Sequence, residues 1–316
     1  MKRIFLLLVF FASTAAAQTY PSRPVRWIVP FPPGGATDIL ARIVAQKMTE
    51  SWGVAVVVEN RAGAAGAIGS DAVAKAAPDG HTILMGTTST HAVNPAINPQ
   101  LPYDNLADFT AVTLVATFPN VLVAHPSTAA TLQELIARLK ANPGKYNFGS
   151  SGAGSSTHLT GELFKLMTQT DINHIPYKGT GPLLNDLMAG HVSFAFDQIT
   201  AVMSAVQAGR MRALGVASLG RNPALPDVPA IAEVLPGFEA TAWVGIFAPA
   251  RMPSEITSRI QNETQRIVQL PDIAQRMREL GATPVASAPA EFTAFVRHDT
   301  GKWRDLVRTA KIKIEQ

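Results

Sequence analysis

The 316-residue chain has no cysteine. That absence excludes thiolate-bound zinc, iron–sulfur clusters, thiol nucleophiles, disulfides and a lipid-modified cysteine. Charge is scarce too: 16% of residues are Asp, Glu, Lys or Arg. The basic residues are scattered singly, which argues against binding to nucleic acid or a membrane surface. Beyond the amino terminus no stretch is continuously apolar over the ~20 residues a membrane span needs. What is abundant is ordinary core material. Hydrophobic residues make up 47%, too many for a disordered chain, and 23 Gly with 23 Pro fall short of low complexity. At roughly 150 residues per domain the length predicts two lobes, each able to bury its own core.

Residues 1–17 read as a secretory signal peptide. Lys2 and Arg3 form a positive start, Ile4 to Ala12 is apolar, and Ala15-Ala16-Ala17 is a small-residue cleavage pattern. Cleavage is expected after Ala17, and nine apolar residues are too few for an anchor. Without Lys2 and Arg3 the chain keeps 25 basic and 23 acidic residues, a net charge of +2. A soluble exported protein is expected.

The remainder alternates short apolar runs with helical patterns, as an α/β fold does. Val25 to Pro30 predicts a strand, Phe31 to Thr37 a Pro/Gly loop, and Ile39 to Trp52 a helix ended by Gly53. Val54 to Val58, His81 to Gly86, Val112 to Val115 and Val121 to Ala124 predict further strands. So do Tyr146 to Phe148, Ile172 to Ile175, Val192 to Phe196, Ala213 to Ala217 and Trp243 to Ala248. Thr131 with Glu134 spells a capping box for a helix ending near Asn142. Helices are expected near Thr157 to Met167, Leu183 to Ala189 and Thr200 to Ala208, and then over Glu255 to Val268, Asp272 to Leu280 and Ala290 to about Ala310. The Pro-rich stretch from Ser218 to Pro236 reads as a return crossing. A purely helical tail after a sheet-forming middle is best placed back on the first lobe. The expected division is residues 18–122 plus 241–316 for one lobe and 123–240 for the other.

Four strand-to-helix junctions are rich in Gly, Ser and Thr: Phe31 to Asp38, Gly86 to Thr90, Gly149 to Ser156, and Tyr177 to Gly181. Helix starts carry unpaired N–H groups and partial positive charge, small residues let an anion approach, and hydroxyls add donors. Such loops suit a carboxylate or phosphate in the crevice beyond the carboxyl ends of the strands. Other motifs fail on spacing. Gly63, Gly66 and Gly69 do not follow the dinucleotide pattern, and there is no Walker loop and no G-x-S-x-G elbow. The seven histidines include no H-x-x-x-H pair, so no metal site is expected. Ser151 or Ser155 with His158 leaves open a secreted serine hydrolase, but the spacing fits helix capping better. Trp243 and Trp303 read as packing residues.

The run Pro32-Pro33-Gly34-Gly35-Ala36-Thr37-Asp38-Ile39-Leu40-Ala41-Arg42 resembles the signature of the Bug family, periplasmic solute receptors of tripartite tricarboxylate transporters. Other blocks agree in order: Asn60-Arg61 with Gly63, Ala77-Pro78-Asp79-Gly80, Gly149-Ser150-Ser151-Gly152 with His158-Leu159, Pro176-Tyr177-Lys178-Gly179, Asp186-Leu187-Met188-Ala189-Gly190, Phe196-Asp197, and Leu225-Pro226-Asp227-Val228-Pro229. Ala62 departs from the family's usual Pro. The resemblance implies a two-lobed periplasmic-binding-protein fold of type II with a hinge, a small carboxylate held in the cleft, and neither catalysis nor a cofactor. It also implies a membrane permease as partner, or a sensor kinase if the receptor signals instead, and a monomer. By the same resemblance, Phe31, Gly34, Gly35 and Asp38 lie at the first-lobe loop with Thr87 and Ser89 beside them. Ser150, Ser155, His158, Tyr177, Gly179 and Asp197 face them from the second lobe. The two aspartates are expected to orient loops or accept hydrogen bonds, since ionised acids facing an anionic ligand repel it.

Overall fold

The computed structural model describes residues 20–310, so the expected signal peptide lies outside the described residues. The chain opens with β1 (Val25–Val29), α1 (Ala36–Trp52), β2 (Val56–Asn60), α2 (Ala67–Ala74) and β3 (Thr82–Thr87). These three strands are parallel, with β1 between β2 and β3, as the helical crossovers require. The alternation of β1 sends Trp27 and Val29 into one apolar cluster and Ile28 into another, one on each face of the sheet. Helix α1 buries Leu40, Val44 and Met48 and stops at Gly53, whose left-handed φ of 65° lets its N–H reach Thr49 O.

A π-helical turn (Ser89–Val93) and the short α3 (Asn94–Ile97) lead to β4 (Phe109–Ala124), the longest strand. Two separate strands are expected there; the structure has one. Residues Phe109 to Pro119 pair antiparallel with β9 (Thr241–Pro249), and Asn120 to Ala124 pair with β7 (Phe194–Gln198). Pro119 stands where β4 changes partners, and the next ladder donor, Asn120 N, bonds Ala240 O at 3.3 Å. The strand therefore survives a residue that reads as a breaker.

Between these passages lie α4 (Leu132–Ala141), β5 (Asn147–Ser150), α5 (Ser156–Thr168), β6 (Asn173–Pro176), α6 (Thr180–Met188), α7 (Ile199–Gln207) and β8 (Arg212–Val216). The expected capping box forms in part: Thr131 Oγ1 accepts from Glu134 N, while the Glu134 carboxylate reaches back to Ala130 N, one residue before the cap. The strand order is β2-β1-β3-β9-β4-β7-β5-β6, with β8 pairing β4. After β9 come α8 (Ser254–Val268), α9 (Pro271–Glu279), the two-residue β10 (Thr283–Pro284) against β4, and α10 (Pro289–Ala310). Helix α8 packs on α1, and α10 on the turn at residues 89–97. Trp243 and Trp303 are buried, as expected, and both indole N–H groups donate to Asp299, at 2.7 and 3.3 Å.

Candidate functional site

The carboxyl ends of β1, β5, β6 and β7 all deliver loops to one crevice. A cavity of ≈ 480 Å³ is walled by Phe31, Pro32, the turn from Ala62 to Gly66, Ser151 to Ala153, and Tyr177 to Gly179. It shares Phe31, Pro32, Ser151 and Gly179 with a narrow inner end that adds Gly35, Thr37, Thr180 and Gln198. A wider hollow of ≈ 1020 Å³ beside Tyr20, Trp52 and α8 is lined by acids and arginines together, including the paired Glu263 and Arg266. That hollow lies away from the strand ends and offers no converging donors of one sign.

Three helices start at the crevice without a side-chain cap: α1 behind Gly35, α6 behind Gly179 and α7 behind Gln198. Helix starts leave backbone N–H groups unpaired and a partial positive charge behind them. Lys178 is the one charged residue among the lining residues, and it is exposed. The crevice is thus rich in neutral donors and suited to an anion. It is also narrow. Gly179 has φ of 108°, and a Cβ there would sit 2.7 Å from Pro32 Cγ, so only glycine lets these loops meet.

Of the expected site residues, Phe31, Gly35, Tyr177 and Gly179 line the crevice. The others are not among the lining residues, and all but Asp197 Oδ2 of the side-chain polar atoms described below are engaged within the protein. Asp38 is buried; it accepts from Gly34 N at 3.1 Å, Asn60 Nδ2 at 3.0 Å and Arg42 Nε at 3.0 Å, and Asn60 also donates to Phe31 O. Burial, the largest single influence, pushes the Asp38 carboxyl up. The bonds from Arg42, Gly34 and Asn60 outweigh it and hold the group below its ordinary value. It ties the Phe31 to Gly34 loop to β2 in ionised form.

Thr87 and Thr90 bond each other through backbone and hydroxyl, at 2.9 and 3.2 Å. Ser89 Oγ accepts from Ser156 N at 3.0 Å, joining that turn to the start of α5. Ser150 Oγ lies 2.7 Å from His174 Nε2. Ser155 Oγ donates to Gly152 O at 2.7 Å and accepts from His158 N at 3.2 Å, the cap its spacing predicts. The imidazole of His158 accepts from Gly154 N at 3.2 Å and stacks on His174 at 3.8 Å. Burial depresses both, His158 to about 4 and His174 to about 3, so the pair is neutral near pH 7. A hydrolytic Ser–His pair needs the serine hydroxyl on the ring. In the two pairs expected with His158 the hydroxyl bonds elsewhere: Ser155 Oγ to Gly152 O and Ser151 Oγ to Thr157 Oγ1.

Tyr177 Oη donates to Asp186 at 2.8 Å, which turns the ring against the cavity wall. Asp197 is fully buried. Its Oδ1 accepts from Gln198 N at 2.7 Å and Thr180 Oγ1 at 3.2 Å, while Oδ2 has no partner among the described residues. Burial, which outweighs these bonds, pushes its carboxyl up to about 6.

Sequence reasoning misses part of the lining: Ala64, Ala65, Lys178, Thr180 and Gln198. Thr180 and Lys178 sit in a junction it singles out, but nothing distinguishes them within it. Ala64 and Ala65 adopt left-handed φ of 47° and 49° between Gly63 and Gly66, a conformation alanine disfavours and sequence does not announce. Among the described residues no group of His, Asp or Glu is placed to hold a metal ion.

Residues 40–312 match the model of the tripartite tricarboxylate transporter family receptor. Protein BugT of Bordetella pertussis is 39% identical over 315 residues, covering 99% of this chain and 97% of that protein. Among solved structures, R. palustris Rpa4515 with adipate has a TM-score of 0.91 at 35% identity, covering 93% of this chain and 99% of that one. MatC from Rhodopseudomonas palustris with bound malate has a TM-score of 0.86 at 34% identity, covering 91% and 100%. The fold is the two-lobed, hinged fold of periplasmic binding proteins. By motif order, fold and family match, this chain belongs to the tripartite tricarboxylate transporter receptor family, the Bug proteins among them.

Proposed function

We propose that the protein is a periplasmic receptor, not an enzyme, that holds a small carboxylate between its lobes and hands it to a tripartite tricarboxylate-type permease. The observation that carries this reading is the meeting of three uncapped helix starts, α1, α6 and α7, at one narrow crevice. Unpaired N–H groups there supply the charge stabilisation an arginine supplies elsewhere. The commitment of Ser155 and His158 to backbone bonds supports binding rather than hydrolysis. Adipate and malate in two relatives support the ligand class.

In this reading the lobes comprise residues 18–122 with 241–316, and 123–240, and residues 1–17 are removed on export. Of the twelve site residues expected from sequence, Phe31, Gly35, Tyr177 and Gly179 face the ligand. Gly34, Asp38, Thr87, Ser89, Ser150, Ser155, His158 and Asp197 shape the loops around it. Ligand touching both walls favours the closed form, and its differential affinity sets how far the population shifts. The closed receptor then docks on the permease.

Gly35 has φ of −78°, open to any residue, and a Cβ there faces Thr180 Oγ1 at 3.8 Å. Gly35→Val therefore fills the inner end without straining the backbone. Titration calorimetry with malate and adipate should show affinity falling at least about tenfold, roughly 1.4 kcal/mol, while the circular dichroism spectrum is unchanged. Equal affinity in wild type and variant refutes this placement of the ligand.

A further inference from the structure

Asp197 presents a physical problem for an anion site. It is fully buried beside Thr180 and Gln198, two residues that line the inner end of the crevice, and Oδ2 finds no donor among the described residues. No cationic side chain pairs with it. Helix α5, which also packs on β7, carries His158, Glu162 and Lys165, but it covers the other face of that strand, with Phe164 against Phe194 and Phe196. Strands β4 and β5 and helix α7 contain no ionisable residue, and β7 none but Asp197 itself. Helix α6 carries only Asp186, bonded to Tyr177. On α1, which packs on α7, Asp38 is held by Arg42, and Lys47 and Glu50 pair at 3.1 Å. A buried carboxylate without a cation is costly, and a second negative charge nearby raises the cost. Moreover, Thr180 has one hydroxyl proton. While Asp197 is ionised, Thr180 spends that proton on Oδ1 and can only present lone pairs to an incoming carboxylate.

Resting on the proposed carboxylate-binding role, we propose that Asp197 is a positioning residue: ligand binding draws one proton onto its carboxylate, turning the Thr180 hydroxyl from a donor to Asp197 into a donor to the ligand. The balance is simple. The proton comes from the buffer and forms an O–H bond at Oδ1, which now donates to Thr180 Oγ1. Thr180 O–H swings toward the crevice, the bond from Gln198 N is kept, and the ligand stays ionised. The free protein's carboxyl, already raised to about 6, needs only the nearby anion to carry it above neutral pH. The same coupling must run in reverse, so alkaline pH weakens binding.

The test is titration calorimetry of the mature protein with malate and adipate from pH 6.5 to 8.5, in two buffers of different ionisation heat. Both ligands are essentially fully ionised there, since such carboxyls titrate near pH 4–5. The expected result is uptake approaching one proton per ligand, with affinity falling up to about tenfold per pH unit. Asp197→Asn, which mimics the neutral acid, should bind with no uptake and a flat pH profile. If that variant does not fold, the ¹³C carboxyl shift of Asp197 in wild type serves: ionised without ligand at pH 8, protonated with it. Binding without proton uptake, uptake unchanged in Asp197→Asn, or a carboxylate ionised in both states overturns the coupling and leaves the receptor reading standing. Failure of both acids to bind at any pH instead overturns the carboxylate reading, and the coupling falls with it.

Discussion

The two walls of the crevice are built from similar parts and solve opposite problems. Each has an uncapped helix start, a glycine at the turn and a buried aspartate within three residues of a helix start. On the α1 wall Asp38 meets a guanidinium, an amide and a backbone N–H, and stays ionised. On the α6–α7 wall Asp197 meets one hydroxyl and one N–H, and burial wins. Residue type therefore does not assign a role at such a site; the balance of donors against desolvation does. One aspartate fastens a loop, and the other is poised to lose its charge.

That contrast breaks most sharply in stability against pH. Asp38→Ala strips three donors of their acceptor and should cost about 2–3 kcal/mol at pH 7 by urea unfolding. The folded value of Asp38 lies below the unfolded one, so its contribution is present above about pH 4 and is lost as pH falls through the folded value. The difference between wild type and variant therefore closes in acid. Asp197 has the opposite sign. Its folded value lies above the unfolded one, so wild type loses stability as pH rises from about 4 to about 6, and Asp197→Asn should gain up to about 3 kcal/mol relative to it. Parallel curves for the two pairs contradict the contrast.

A smaller effect sharpens the distinction between loop builders and ligand contacts. Ser155→Ala removes the cap of α5 and should cost about 1 kcal/mol of stability. Affinity for the same carboxylate should change less than twofold, roughly 0.4 kcal/mol. A large loss of affinity at unchanged stability instead makes Ser155 a ligand donor.

Much of this arrangement is legible before any coordinates. The Phe31 to Asp38 and Tyr177 to Gly181 junctions name themselves through Gly and Pro, whose backbone demands are local. The hydroxyl roles are not legible, because Ser150, Ser155 and Thr87 cap their own turns with the same lone pairs that suit a ligand. The unity of β4 is hidden because the strand is buried almost throughout, which erases alternation, and Pro119 imitates a break. Lys178 shows only its charge; that it borders the cavity depends on where β6 ends. The left-handed Ala64 and Ala65 are invisible for a simpler reason: alanine signals helix by default.

The central claim is that helix starts hold a carboxylate, and ionised acids against their neutral amides test it most directly. Thermal unfolding of the mature protein, stripped of co-purified ligand, is compared with malate and malamide, and with adipate and adipamide. Saturation at one hundred times the dissociation constant adds about 2.7 kcal/mol, or several degrees of melting temperature. The account predicts that shift with at least one acid and none with its amide. Equal shifts with acid and amide, or no shift with either acid, contradict it.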